Sequence, residues 1–185
     1  MEENVCPVWV GYILISPFRK LWQNPKRILG PFIRPGMRIL DIGCAMGFFS
    51  LPMAEMAGDQ GCVICVDLQE KMLERLMNRA KRAGLASRIE LRTCDSHSLK
   101  IDDLNGTIDF ALAFAVVHEM PDSSIFLTEV HNAIKPGGKL LIAEPKGHVS
   151  KQAFEKILDL AGEKGFLQSE EVRIPGSRAF LLTRK

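Results

Sequence analysis

An excess of charge of either sign is lacking in this sequence. Its 24 lysine and arginine residues nearly balance its 22 aspartate and glutamate residues, which leaves a formal net charge of +2. A protein that binds nucleic acid through its overall charge is strongly basic. No Asn-Pro-Pro-Tyr motif, typical of enzymes that act on flipped bases, is present either. We therefore expect a partner other than nucleic acid.

A hydrophobic run long enough to cross a membrane is also lacking. The apolar stretch at residues 5–18 is interrupted by two prolines and a glycine, and it is shorter than the roughly 20 residues that a spanning helix needs. Glutamates at the second and third positions stand where a secretion signal carries basic residues. We expect neither a transmembrane segment nor a signal peptide. We therefore expect a cytoplasmic location.

The cysteines do not form a disulfide pattern. There are five, an odd number, and several lie in apolar runs, as is typical of reduced, buried thiols. Cys62 and Cys65 are spaced like a metal or redox pair, but a strand would place them on opposite faces. No second pair accompanies them, so we expect no metal site.

The pattern of apolar and polar residues indicates one sheet-based domain. With 185 residues, of which 46% are hydrophobic, the chain can fill one core. From residue 37 onward, short apolar segments alternate with segments of helical periodicity, which predicts a doubly wound, mostly parallel α/β sheet. The predicted strands are residues 37–41, 62–66, 89–93, 109–113 and 139–143, and a hairpin of 168–174 and 178–183 follows. The predicted helices are residues 48–57, 69–83 and 150–164, with another beginning after Asp122.

A glycine-containing loop at residues 41–47 joins the first strand to the first helix. It reads Asp-x-Gly-x-Ala-x-Gly, whereas the dinucleotide fingerprint is G-x-G-x-x-G. Glycines let a ligand approach the backbone closely, and the N–H groups of the new helix face that ligand. Asp41 argues against a pyrophosphate and for a ligand that carries positive charge.

This loop resembles motif I of the class I methyltransferases that use S-adenosylmethionine, except that Ala45 replaces the expected middle glycine. A Pro-Gly-Gly turn before the fifth apolar segment and a Val-His-x-x-Pro-Asp run after the fourth also resemble this family. The closest resemblance is to the small-molecule group that includes ubiquinone and menaquinone methyltransferases, often called type 11. It covers the chain from about residue 35 to the end.

The resemblance implies a Rossmann-like sheet of seven strands with an antiparallel C-terminal strand. It implies S-adenosylmethionine as cofactor, S-adenosylhomocysteine as product, and direct displacement onto a small-molecule acceptor. Carried over residue by residue, the cofactor-binding positions are Asp41, Gly43, Cys44, Ala45, Gly47, Asp67, Leu68, Asp95, Ser96 and Ala113.

Two of these acids have alternative interpretations. Asp67 follows the glycine loop by about 20 residues, the spacing at which an acid binds ribose hydroxyls, but it could also cap the next helix. In the family, the acid at Asp95 binds the adenine amino group, whereas an Asp before Ser at a strand end is also ordinary turn chemistry.

For catalysis, His118 is the first candidate for a general base, and Glu119 or His148 is the next. The alternative is that His118 is a structural hydrogen-bonding residue in the cofactor pocket, since transfer of this type can rely on proximity alone. Tyr12, Trp22, His118 and His148 are candidate substrate contacts.

Residues 1–34 precede the methyltransferase-like domain of residues 35–185. They contain both tryptophans and the single tyrosine. This pattern predicts either a helix pair packed on the sheet or a lid over the acceptor. The basic, acid-free stretch at residues 19–38 is ordinarily a solvated face, but it could also attract an anionic acceptor or a membrane surface.

Two other functions remain open at this point. The chain could be a non-catalytic S-adenosylmethionine-binding sensor or partner-dependent subunit. It could also be an NAD-dependent oxidoreductase, although Asp41 and the loop spacing argue against that.

Overall fold

The computed structural model describes residues 19–185. Seven strands form one sheet in the order β3-β2-β1-β4-β5-β7-β6. The strands are β1 Arg38–Ile42, β2 Cys62–Asp67, β3 Ile89–Thr93, β4 Ile108–Phe114, β5 Ile134–Pro145, β6 Phe166–Glu171 and β7 Ser177–Arg184. β1 to β5 are mutually parallel, and β7 runs antiparallel to both β5 and β6. The predicted seven-stranded, mostly parallel sheet with an antiparallel C-terminal strand is confirmed.

Helices cover both faces of this sheet. They are α1 Arg19–Trp22, α2 Pro25–Leu29, α3 Ser50–Ala57, α4 Glu70–Arg82, α5 Ser123–Ala133 and α6 Lys151–Glu163. Short 3₁₀ turns occur at Ala86–Arg88, Asp102–Leu104 and Val117–Glu119. Within the described part of the chain, none of the helices has the length and apolar character needed to cross a membrane.

Two hydrophobic cores lie on opposite faces of the sheet. Alternate residues of β1 belong to different cores, Leu40 and Ile42 to one and Ile39 to the other. This is the period-two alternation of a strand buried on both sides. Helix α4 contributes to the second core with Leu73, Leu76 and Ala80, which lie on one face at helical spacing.

The Asn24–Pro25 pair is typical of a helix start and predicts a helix that runs to about residue 33. The observed helix α2 is shorter. As expected, Asn24 caps α2, accepting from the backbone N–H groups of Lys26 and Arg27 at 3.1 and 3.3 Å. The helix ends at Leu29 rather than near Ile33. Pro31 explains the difference, because a proline lacks the N–H that the next turn requires.

Strand β5 begins earlier than the sequence predicts. The Pro-Gly-Gly segment lies inside this strand as an irregularity, with a register shift on the partner strand between Ile108 and Phe110. Gly137 has a φ of 77°, a conformation that favours glycine. The turn-like residues are therefore accommodated as a bulge rather than as a separate turn.

Candidate active site at the carboxyl ends of the strands

A cavity of about 880 Å³ lies at the carboxyl ends of β1 to β4. It extends across the sheet from the acids that follow β1, β2 and β3 to the residues that follow β4 and β5. The acidic end is defined here by Asp41, Asp67 and Asp95. The histidine end is defined by His118, Glu119 and His148. Parallel strands place their carboxyl ends at one sheet edge, which brings these distant residues together.

Asp41, the last acid of β1, is buried at the floor of the acidic end. Its carboxylate accepts a hydrogen bond from the Ser50 hydroxyl at 2.5 Å. Burial, together with the nearby charge of Asp67, raises the pKa of Asp41 to about 7 in spite of this hydrogen bond. A cationic ligand would favour the ionised form of this carboxyl group.

The loop after Asp41 adopts left-handed backbone conformations. Gly43 has a φ of 68°, and a side chain there would meet Val116 Cγ2 at 2.9 Å. Ala45 has a φ of 46°, an uncommon conformation for a residue with a Cβ atom. The loop therefore keeps a conformation that the usual glycine would adopt more easily, at a cost of about 1–2 kcal/mol.

Asp67 fixes this loop through the backbone. One carboxylate oxygen accepts from the Ala45 N–H at 2.8 Å, and the other accepts from the Gln69 N–H at 2.9 Å. Burial raises the pKa of Asp67, and these backbone hydrogen bonds oppose the shift. The capping interaction is thus present, and each oxygen retains a lone pair that could accept a ribose hydroxyl.

Asp95 has a more exposed setting than the other two acids. Its side chain is 48% exposed, and it accepts from the N–H groups of His97 and Ser98 at 2.9 and 2.8 Å. The hydrogen bond from the His97 N–H and that from Lys100 lower the pKa of Asp95. The turn chemistry is therefore present, at a position that also lines the cavity.

The histidine end is organised around a buried carboxylate. His118 lies in the 3₁₀ turn Val117–Glu119, and its Nδ1 contacts Glu144 at the end of β5. Glu144 is fully buried and also accepts from the Val117 N–H at 2.8 Å. Burial raises the pKa of Glu144, and His118 opposes the shift. The His118 side chain is 22% exposed and packs edge-to-face on His148 at 5.8 Å.

Glu119 also lines the histidine end. Burial raises the pKa of its carboxyl group, and the nearby His118 opposes that shift.

Aromatic rings and an arginine form a further wall of the cavity. The Arg19 guanidinium lies 4.3 Å from the centroid of the Phe48 ring. It lies 5.5 and 5.4 Å from the ring centroids of Phe49 and Phe114. Burial lowers the pKa of Arg19 to about 10. This wall combines apolar surface with a positive charge.

Most of the candidate site residues line the cavity, and some do not. Those that line it are Asp41, Gly43, Cys44, Ala45, Asp67, Leu68, Asp95, Ser96, His118, Glu119 and His148. Gly47 is instead packed against Leu76, which a side chain at Gly47 would meet at 2.8 Å. Ala113 is buried within β4, and its successors Phe114 and Ala115 reach the cavity. The Trp22 side chain is 73% exposed and is not part of the wall, and Tyr12 lies outside the described residues.

Sequence reasoning missed Glu144 and Arg19. Both act through contacts with residues far away in the chain, and neither belongs to a local motif. Met72 of α4 is buried and also lines the cavity. The only signal for Glu144 was its place at the end of an apolar strand, the same signal that identified Asp41 and Asp67. Among the described residues, no group of three His, Cys, Asp or Glu side chains is arranged to hold a metal ion.

A sheet of this order, with acids at consecutive strand ends around one cavity, defines a Rossmann-like nucleotide-cofactor-binding protein. The family sequence profile described as a methyltransferase domain matches residues 33–173. The chain belongs to this family, that of the class I methyltransferases whose cofactor is S-adenosylmethionine.

Individual relatives agree with this assignment. A ubiquinone biosynthesis O-methyltransferase of Rhizobium etli is 30% identical over 139 residues, covering 74% of this chain and 51% of that protein. A demethylmenaquinone methyltransferase of Shouchella clausii is 30% identical, covering 78% of this chain and 66% of that protein. The chain thus spans about half to two thirds of the length of these curated relatives.

Solved structures share the fold. A crystal structure of a SAM-dependent methyltransferase from Aquifex aeolicus superposes with a TM-score of 0.81, at 23% identity, over 97% of this chain and 98% of that one. Another, from Methanococcus maripaludis, has a TM-score of 0.79 at 17% identity, over 100% of this chain and 97% of that one.

Proposed function

We propose that this protein binds S-adenosylmethionine at the acidic end of the cavity and transfers its methyl group to a small-molecule acceptor at the histidine end. The observation that carries this proposal is the left-handed loop at Gly43 and Ala45, held by Asp67 against the buried Asp41. It provides a backbone surface for a close ligand and carboxylates for hydroxyl groups and positive charge. The sulfonium of the cofactor supplies an already activated methyl group.

The residues of the acidic end fit the parts of this cofactor. Asp67 has lone pairs for the ribose hydroxyls, and Leu68 beside it lines the same wall. Asp95 and Ser96 stand one strand further out, where the adenine ring would lie. Asp41 and the Gly43–Ala45 backbone remain for the methionine part. Burial of Asp41 makes a positive partner favourable there.

The histidine end would align the acceptor. Direct displacement requires a nucleophile behind the methyl group and the exclusion of water. His118 is the candidate base, and Glu119 and His148 are its neighbours in the wall. The names of the relatives, a ubiquinone biosynthesis O-methyltransferase and a demethylmenaquinone methyltransferase, are consistent with a small, partly aromatic acceptor against the wall of Phe49 and Phe114.

We propose that the part of residues 1–34 that precedes α2 forms a lid over this end, because Leu29 of α2 and Ile33 after it are buried in the second core. The support comes from α1, because Arg19, at the start of the described chain, already contributes to the cavity wall. The segment that precedes it contains Tyr12. Its aromatic residues would supply apolar cover and a polar group that could orient an acceptor. Trp22 is left out of this proposed cover, because its side chain is 73% exposed and does not line the cavity.

The test is a search for the methylated product. The purified protein is incubated with S-adenosylmethionine that carries a trideuterated methyl group and with a small-molecule extract of the source organism. Mass spectrometry should then find a product that carries the labelled methyl group, absent with boiled protein and strongly reduced with Asp67→Ala. Binding of the cofactor without any labelled product would instead indicate the non-catalytic binding function.

A further inference from the structure

The carboxylate of Glu144 touches the histidine end without lining the cavity. It is fully buried at the end of β5, and its two oxygens have different partners. One accepts from the backbone N–H of Val117 at 2.8 Å, and the other contacts Nδ1 of His118. A buried carboxylate is costly unless it is paired, so its place behind a cavity-lining histidine calls for a physical explanation.

We infer that Glu144 is a positioning residue that holds His118 as the Nδ1–H tautomer, so that Nε2 is the proton-accepting atom at the histidine end. This inference rests on the proposed methyl transfer and assigns the proton's destination within it. An ionised carboxylate can only accept hydrogen bonds, so Nδ1 must donate to it. The neutral imidazole then has its lone pair on Nε2, the nitrogen on the opposite side of the ring.

The arrangement restricts the class of acceptor. As the acceptor's lone pair bonds to the methyl carbon and the carbon–sulfur pair returns to sulfur, the acceptor's proton passes to Nε2 of His118. The imidazolium formed is stabilised by the Glu144 carboxylate at Nδ1. A hydroxyl or an acidic C–H group has such a proton to lose, whereas a tertiary amine or a thioether has none.

Glu144→Gln provides a sharp test because glutamine keeps the shape but has one accepting oxygen and one donating nitrogen. The Val117 N–H can only donate, so it requires the oxygen. The amide nitrogen then faces Nδ1 of His118, which must become an acceptor. The ring proton is thereby moved to Nε2, which removes the base while the packing is conserved.

The measurement is long-range ¹H–¹⁵N NMR of the imidazole rings at about pH 8.5, where an ordinary histidine is neutral. His118→Gln identifies the signals of His118. We expect the Nδ1–H tautomer in the wild-type protein and the Nε2–H tautomer in Glu144→Gln. Glu119→Gln is the matched control, because it removes a neighbouring carboxylate, and it should keep the Nδ1–H tautomer. An Nε2–H tautomer in the wild-type protein, or the same tautomer in Glu144→Gln as in the wild type, would overturn the inference.

A chemical measurement covers the case in which Glu144→Gln does not fold. Diethyl pyrocarbonate acylates an unprotonated, accessible imidazole nitrogen, and peptide mass spectrometry locates the adduct. His118 of the wild-type protein should react both without and with saturating S-adenosylhomocysteine, which needs no variant. Where Glu144→Gln folds, its His118 should react at least tenfold more slowly. Complete protection by S-adenosylhomocysteine, or an unreactive His118, would contradict a base at the acceptor side.

These results are distinguishable from a failure of the proposed function. The tautomer is measured in the ligand-free protein, so it is independent of cofactor binding. The labelled product from the extract supplies the catalytic arm, in which Glu144→Gln should form it at least 100-fold more slowly while cofactor affinity stays within about twofold. Equal rates of product formation would show that Glu144 only fills the core.

Discussion

The acidic end and the histidine end of the cavity are built in different ways. At the acidic end, each acid lies at or just after the end of its own strand, and Asp67 and Asp95 accept hydrogen bonds from backbone N–H groups. At the histidine end, the main interaction joins two side chains, His118 and Glu144, from the ends of different strands. The first arrangement is set mainly by local chain geometry, and the second depends on the whole sheet.

The largest effect that would separate the two ends comes from removing residues 1–18. If the N-terminal segment is a lid over the histidine end, the truncated protein should bind S-adenosylmethionine within a few fold of the full chain, since such a lid would leave the acidic end unchanged. Formation of the labelled product should be abolished, because water would enter the acceptor side. Calorimetry and the mass-spectrometric assay measure the two effects. Unfolding would show that the segment belongs to the core, and full turnover would refute the lid.

Asp67→Ala should cause the largest loss at the acidic end. Two charge-assisted hydrogen bonds to ribose hydroxyls are worth about 1.5–3 kcal/mol each, so affinity for S-adenosylmethionine should fall by at least about 100-fold. Asp95→Ala serves as the comparison, because its exposed carboxylate should contribute about tenfold or less. Calorimetric titration measures both, with circular dichroism as the control for folding. An unchanged affinity of Asp67→Ala would mean that this residue only caps the chain.

The buried Asp41 predicts a pH dependence at the acidic end. Burial raises its pKa to about 7 from an ordinary value of 3.8, so the folded state holds the proton more tightly than the unfolded state. The free energy of unfolding should therefore decrease as pH rises from about 4 to about 7. A cationic ligand requires the ionised form, so affinity for S-adenosylmethionine should increase about fivefold between pH 6 and pH 7. Asp41→Asn should remove this slope, and a slope unchanged by that substitution would assign it to another group.

The smallest effect concerns the strained position of the loop. Ala45→Gly should increase the free energy of unfolding by roughly 0.5–1 kcal/mol, because relief of the left-handed conformation outweighs the greater freedom of glycine in the unfolded chain. Ala83→Gly is the matched control, since Ala83 is exposed and has a φ of −89°. It should destabilise the protein by about 0.5–1 kcal/mol. Denaturant unfolding measures both, and equal destabilisation of the two variants would contradict the strain at Ala45.

The contrast between the two ends also explains what the sequence could predict. The sheet, its strands and the acids Asp41, Asp67 and Asp95 follow from apolar runs that end on polar residues, which is local information. The positions of Gly47 and Ala113 relative to the cavity differ from expectation by one or two residues, because a motif identifies a loop but not which of its atoms face inward. Glu144 and Arg19 meet their partners only after β5 and α1 have packed. No short segment of sequence contains that information.

The central claim is that the acidic end is a site for S-adenosylmethionine, and isothermal titration calorimetry of the wild-type protein tests it most directly. S-adenosylmethionine and S-adenosylhomocysteine are titrated separately into the folded protein, with NADH as the competing nucleotide cofactor. We predict one site per chain for each of the first two compounds and no saturable heat with NADH. A folded protein that binds neither S-adenosyl compound, or that binds NADH in their place, would contradict the claim.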